Sequence, residues 1–172
     1  EFYVSFEMGQ IGSYYARCLK EAVDEERITH LPYDRKYLVY TAWDLGVSDS
    51  MSIVFFQIVG KEIRVIDAYE NHGYALSHYI EVLREKKYSY GKHFFPHDGK
   101  NRNLSDGKRL ISVANESEFA FEIVESRISV IEGIEKVRSI FPRVWFDKAK
   151  CEYLLKCLGD YHAEYNERAQ VY

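Results

Sequence analysis

No run of 18 apolar residues occurs in the 172-residue chain, which excludes a membrane-spanning helix. Cysteine is scarce: Cys18, Cys151 and Cys157 are an odd number at irregular spacing. They build no disulfide framework, and a reducing, cytoplasmic setting suits them better. Spacings of six and five separate Cys151, Cys157 and His162 and scatter them around a helix, so ordinary buried thiols are favoured over a zinc site. Neither a GxxxxGK[ST] phosphate loop nor a GxGxxG fingerprint is present, which assigns any nucleotide chemistry to other parts of the intact protein. Basic charge is not in excess either. With 23 Lys+Arg against 27 Asp+Glu the net charge is −4, which excludes a uniformly basic DNA-coating protein but not a local basic groove. Signal-peptide features, internal repeats and low-complexity segments are missing. The chain opens on Glu1 rather than Met and is expected to be a piece of a longer polypeptide.

What is present describes a globular domain. The composition is 47% hydrophobic and 29% charged, and the length suffices for one sizeable core. Aromatics reach 16%, which implies either a large aromatic core or adhesive surfaces. Residues 1–34 hold seven acids and three bases and so account for the whole net charge. Pro32 and the polar Tyr33-Asp34-Arg35-Lys36 mark a boundary near 35. Residues 1–35 therefore read as a linker or the tail of a preceding domain, with an amphipathic helix over 13–26, and residues 36–172 as the domain proper.

From 37 the period changes. Apolar, β-branched and aromatic residues predict strands over 37–43, 50–59 and 62–69, the last two joined at Gly60-Lys61 as a hairpin. Leu76, Tyr79, Ile80 and Leu83 predict a helix over 74–88, and Lys92–Phe95 a short fourth strand stopped by Pro96. Further on come a helix near 105–114, a strand near 120–124 and a helix at 127–140 with Ile128, Ile131, Ile134 and Val137 inward. A strand over 143–146 and a helix starting at Asp147 complete the series. The order β-β-β-α-β predicts an α/β fold, a mixed sheet of three antiparallel strands followed by parallel ones, with helices on its faces.

Two acids stand out by position. Asp44 ends the first strand, with Gly46 just beyond, and Asp98 follows the fourth in Pro96-His-Asp-Gly99. If the first and fourth strands are neighbours, both carboxylates reach one edge of the sheet. Carboxylates gathered there suit a hard divalent cation, and bound cations of that kind serve phosphodiester cleavage. Glu70, past the third strand, is a further candidate ligand. The plainer alternative makes Asp44 and Asp98 turn acids. Asp49 is expected to hold a turn, Asp67 to face outward, and Asp147 to cap the last helix.

The charge is also uneven further along. Residues 84–109 carry eight bases and three acids, whereas residues 110–135 carry six acids and Arg127 alone. Lys100, Arg102, Lys108 and Arg109 follow Asp98 and are candidate phosphate contacts on DNA. Lys86 and Lys87 fall at a helix C-terminus, where cations are favourable anyway.

The segments Ser5-Phe-Glu, Tyr14-Tyr15, Leu31-Pro-Tyr-Asp34, Thr41-Ala-Trp-Asp-Leu-Gly-Val-Ser-Asp-Ser50, Pro96-His-Asp98 and Val144-Trp-Phe-Asp-Lys-Ala-Lys-Cys151 resemble the large terminase subunit of tailed bacteriophages. The resemblance implies an RNase H-like nuclease domain that cuts concatemeric double-stranded viral DNA with Mg²⁺ or Mn²⁺. Asp44 and Asp98 match the first and second catalytic acids. It further implies an upstream packaging ATPase on the same polypeptide, portal protein and small terminase subunit as partners, no membrane, and the cytoplasm of a bacterial host as location. The family's third acid lies on a C-terminal helix in a segment with no counterpart before Tyr172. The domain is therefore expected to be truncated and weakly active unless Glu70 or Asp147 substitutes. Two other classes stay open: a non-catalytic DNA- or portal-docking module, and an actin- or sugar-kinase-like ATPase with its phosphate loop at 44–50.

Overall fold

A computed structural model describes residues 12–46, 50–100, 109–125 and 128–162. Seven strands form one sheet: β1 (Ile28–Thr29), β2 (Val39–Leu45), β3 (Ser50–Val59), β4 (Glu62–His72), β5 (Tyr90–Phe95), β6 (Ala120–Ile123) and β7 (Val144–Asp147). Their spatial order is β1-β7-β4-β3-β2-β5-β6. Only β3 runs against its neighbours; the β2–β5, β5–β6, β4–β7 and β1–β7 pairs are parallel. The α/β expectation of three antiparallel strands followed by parallel ones therefore holds, and the C-terminal ends of the parallel strands share one edge.

Alternation of side chains distributes two cores across this sheet. On one face Trp43, Ile53 and Phe55 meet Tyr79 and Leu83 of α2 (Leu76–Lys86) and Ala114 of α3 (Leu110–Ala114). The Trp43 ring is packed edge-on against Tyr79, Phe95 and Phe121, so much of the aromatic content is core rather than adhesive surface. On the other face Val65, Val144 and Phe146 meet α1 (Ala16–Asp24), α4 (Val130–Ile140) and α5 (Glu152–Asp160) through Leu19, Ile134 and Leu155. At the β3–β4 turn Gly60 takes φ +62°, the left-handed geometry that a two-residue hairpin requires at its first position.

Several expectations shift. The compositional boundary near 35 is not a packing boundary: Leu19 and Ala22 are buried, and the short strand β1, missed in the sequence, pairs with β7. The buried Arg27 guanidinium ties this segment down by donating to the carbonyls of Phe141 (2.9 Å) and Val144 (2.8 Å). The helix expected over 127–140 starts at Val130, because Ser129 and Glu132 form a capping box. Ile128 precedes that cap, and Ile131 points outward at 56% exposure, so of the four expected inward residues only Ile134 is fully buried. Asp44 and Glu70 lie inside β2 and β4 rather than beyond them, which places both side chains on a fixed face. No helix among the described residues is long and apolar enough to cross a membrane.

A buried polar chain crosses from β2 to β5. Trp43 Nε1 donates to Thr41 Oγ1 (2.7 Å), which sits 2.7 Å from His93 Nδ1. His93 is fully buried, its Nε2 has no partner, and burial lowers its pKa to about 4. Between the ordinary value of 6.5 and about 4, the unfolded chain takes up a proton that folded His93 refuses. Stability is thus expected to fall as pH falls through this window, by up to about 3 kcal/mol. Urea midpoints measured against pH for the native chain and His93→Leu check this, and parallel profiles would refute it. Leu19→Ala is expected to cost about 2–5 kcal/mol by cavity creation. An unchanged urea midpoint would show that α1 is dispensable to the fold.

Candidate active site on the C-terminal edge of the sheet

The ladder of β2, β3 and β4 sets Asp44, Ser52 and Glu70 in one row, since each is the direct partner of the next. Directly paired residues point to the same side of a sheet, so both carboxylates rise from one face. Two strand spacings, about 10 Å, separate their backbones. On the other side of β2, Thr41 pairs with His93 and Ala42 with Phe94. Continuing that parallel register carries β5 past the level of Asp44 and into a 3₁₀ turn, His97–Lys100, that bears Asp98. Asp44, Glu70 and Asp98 are all exposed at this edge. The Asp98 carboxylate pairs with His97 Nε2 at 3.0 Å. Gly99 is buried under it: a Cβ there would come within 2.8 Å of Ile123 and 3.1 Å of Phe95, so the turn sits tightly on the core.

This donor set consists of carboxylate oxygens, which suit Mg²⁺ or Mn²⁺ better than a soft metal. Among the described residues no group of three or more His, Cys, Asp or Glu is positioned to hold a metal ion. Two carboxylates still fit Mg²⁺, which keeps several waters and takes phosphate oxygens from its substrate. Glu70 does not complete a three-ligand set. Zinc finds no support, because Cys151 is buried and its thiol is pushed up to about 12, chiefly by burial and then by the charges of Asp147 and Asp67.

Two acids have structural occupations instead. Asp67, expected to face outward, is buried: it accepts from Lys86 Nζ (2.6 Å) and the Tyr88 hydroxyl (2.9 Å). Burial, then the Asp67 charge, pushes the Tyr88 phenol well above its ordinary pKa, so it stays a donor. Asp147 accepts from the backbone N–H groups of Leu31 (2.8 Å), Ala149 (3.1 Å) and Lys150 (2.9 Å), ordering the turn that leads into α5. Its oxygens are committed, and it is no substitute ligand.

The expected cationic rim is only partly visible. Lys100 forms an ion pair with Glu125, and Arg109 is exposed at the start of α3. Arg102, Lys108 and Asp49 lie outside the described residues, as does most of the 44–50 loop beyond Gly46. A feature missed in the sequence is a cavity of about 610 Å³ between the β3–β4 edge and α5, lined by Ser52, Glu70, Asn71, His72, Lys150 and Tyr153 among others. Tyr153, Leu154 and Cys157 of α5 form one wall, with Lys150 in the turn before the helix.

No family profile and no curated protein sequence matches the chain. Among solved structures, the nuclease domain of the phage P22 large terminase superposes with a TM-score of 0.61 at 16% identity, over 81% of this chain and 77% of that one. The large terminase of a thermophilic bacteriophage gives 0.66 at 13% identity over 92% of this chain, which spans only 39% of that longer protein. The large terminase nuclease of the thermophilic phage G20c, solved with bound cobalt, gives 0.58 at 13% identity over 92% of this chain and 85% of that one. The chain has the RNase H-like fold of phage large-terminase nuclease domains.

The contrast between the buried and exposed acids is measurable. Asp67→Asn leaves Lys86 without its buried counter-charge and is expected to cost about 3 kcal/mol in urea denaturation. Asp44→Asn removes a carboxylate with no hydrogen-bond or ion-pair partner among the described residues, and should change stability by less than about 0.5 kcal/mol. Equal losses in the two variants would contradict the division of roles.

Proposed function

We propose that the chain is the nuclease domain of a phage DNA-packaging terminase, a divalent-metal-dependent endonuclease acting on concatemeric double-stranded DNA. The observation that carries this reading is the parallel β2–β5 pairing, which delivers Asp44 and Asp98 to one exposed edge of an RNase H-like sheet. Asp44 and Asp98 would hold Mg²⁺ or Mn²⁺, with Glu70 flanking them along the β2–β3–β4 row. Such an ion supplies a water of lowered pKa and neutralises charge developing on the phosphate. The chain's own contribution is positioning. Asp44 is held by its pairing with Ser52, in a strand that β5 flanks up to Ala42, and Asp98 by the packed turn over Gly99. Lys100, Arg102, Lys108 and Arg109 are the proposed phosphate contacts, with Lys100 exchanging Glu125 for DNA. By the same reading the protein works in the cytoplasm of an infected bacterium, beside an ATPase domain of its own polypeptide, the portal and a small terminase subunit.

A second reading, a DNA- or portal-docking module with structural acids, is favoured by one observation: no three-ligand group exists among the described residues. One experiment separates the two. Supercoiled plasmid is incubated with Mn²⁺ and a terminase polypeptide carrying this sequence, as native, Asp44→Asn or Asp98→Asn. The nuclease reading expects each variant to lose at least about a hundredfold in nicking rate, equivalent to about 3 kcal/mol. Native rates in either variant, at native melting temperature, would assign the acids to structure.

A further inference from the structure

Strand β4 outlasts one of its neighbours. β7 pairs with it only from Ile63 to Val65, so Ile66–His72 run on with no strand on that side among the described residues. A free edge of this kind presents main-chain N–H and C=O groups as a template for another strand. Two of its N–H groups are answered from within β4: Ala68 donates to Asp67 Oδ1 and His72 to Asn71 Oδ1, both at 2.9 Å. Outward groups alternate along an antiparallel strand, so Glu70, between them, also turns its N–H and C=O away from β3. The cavity of about 610 Å³ lies along this edge, between β4 and α5.

A matching segment belongs to the same chain. Residues 2–8, Phe2-Tyr-Val-Ser-Phe-Glu-Met8, lie outside the described residues, and their sequence alternates apolar Phe2, Val4, Phe6 and Met8 with Tyr3, Ser5 and Glu7. A period of two with aromatic and β-branched residues suits a strand that has one face covered. The chain also enters the domain close to the cavity. Tyr14 N–H donates to the Tyr161 carbonyl (2.9 Å) and Ser13 bridges to His162, about one helical turn beyond the cavity-lining Cys157. Gly12 takes φ +100°, which lets the chain turn there, and residues 9–12 reach about 13 Å when extended. The two sides of the edge differ in character. Val54, Ala68 and Leu154 are apolar on the α5 side, whereas on the α2 side the Lys150 ammonium sits 3.3 Å from the Tyr88 hydroxyl and makes no ion pair among the described residues.

We infer that Ile66–His72 of β4 is a docking edge for residues 2–8 of the same chain, which add a strand there in the manner of β-augmentation. Main-chain bonds to Glu70 hold the segment. Its Phe2, Val4, Phe6 and Met8 turn to the apolar side under α5, and Glu7 turns to Lys150, since alternate side chains of a strand take opposite faces. The docked segment lies one strand spacing, about 4.8 Å, from Glu70, so the chain entering the domain runs beside the row that bears Asp44. None of these contacts depends on nuclease activity.

Amide exchange followed by NMR on the whole chain tests the docking without metal or DNA. The Glu70 N–H is expected to exchange at least about a hundredfold more slowly than an unstructured amide. Val4→Pro breaks the added strand and Phe6→Asp charges its apolar row. Each is expected to speed Glu70 exchange about tenfold or more, with the Leu19 amide unchanged as the sign that α1 stays folded. Glu7→Lys is expected to speed it as well, and Lys150→Glu in the same chain to restore the native rate. An unprotected Glu70 amide in the native chain would overturn the docking. So would protection that survives both Val4→Pro and Phe6→Asp, which would assign the edge to another segment, or protection that grows with protein concentration, which would assign it to a second copy.

Discussion

The contact on which the site depends is the buried bridge between Thr41 and His93. The two residues are direct partners across the β2–β5 pair, and Trp43 donates into the same hydroxyl. A one-residue slip between these strands would turn His93 to the opposite face and break the bridge. The ladder already carries an irregularity between Val39 and Thr41, so the register beyond it needs a fixed point. A neutral imidazole wedged between Phe119 and Phe121 and bonded to Thr41 provides one. The relative height of Asp44 and Asp98 is set a few residues further along the same two strands.

The two faces of the sheet have different assignments. The face under α2 and α3 is closed by aromatic packing around Trp43 and by the Asp67–Lys86–Tyr88 cluster. The face bearing Asp44, Ser52 and Glu70 is covered by α1, α4 and α5 only toward β4 and β7, which leaves the polar row open. Charged groups are thus sorted by consequence. Asp67 and Asp147 hold segments together from buried positions, whereas Asp44, Glu70 and Asp98 are presented to solvent.

Much of this was legible in the residues. Strand β3 falls where alternation places it, the hairpin follows from Gly60-Lys61, and the β-β-β-α-β order implied the mixed sheet. Asp44 and Asp98 stood out because each comes at or just past the end of a run that composition marks as a strand. Asp67 was misjudged because period-two alternation says which side a residue takes but not whether that side is covered. Residues 16–31 looked like a linker because charge balance reports solvent exposure in bulk; it is silent on Leu19 and Arg27, which anchor the segment individually.

The sequence by itself determined most of the element order, the β3–β4 hairpin and the placing of two acids at or just past two strand-forming runs. All of these are local periodicities or consequences of chain direction. Tertiary structure alone decided three other things: that β1 and α1 complete the sheet and its second core, that Asp147 is consumed by backbone N–H groups, and that residues of α5 line a cavity with Ser52 and Glu70. Each brings together residues far apart in the chain, at a distance no periodicity encodes. The physical reason is the ladder. Side-chain alternation is written in each strand, but which strands lie side by side, and at what height, is settled only when the whole sheet is assembled.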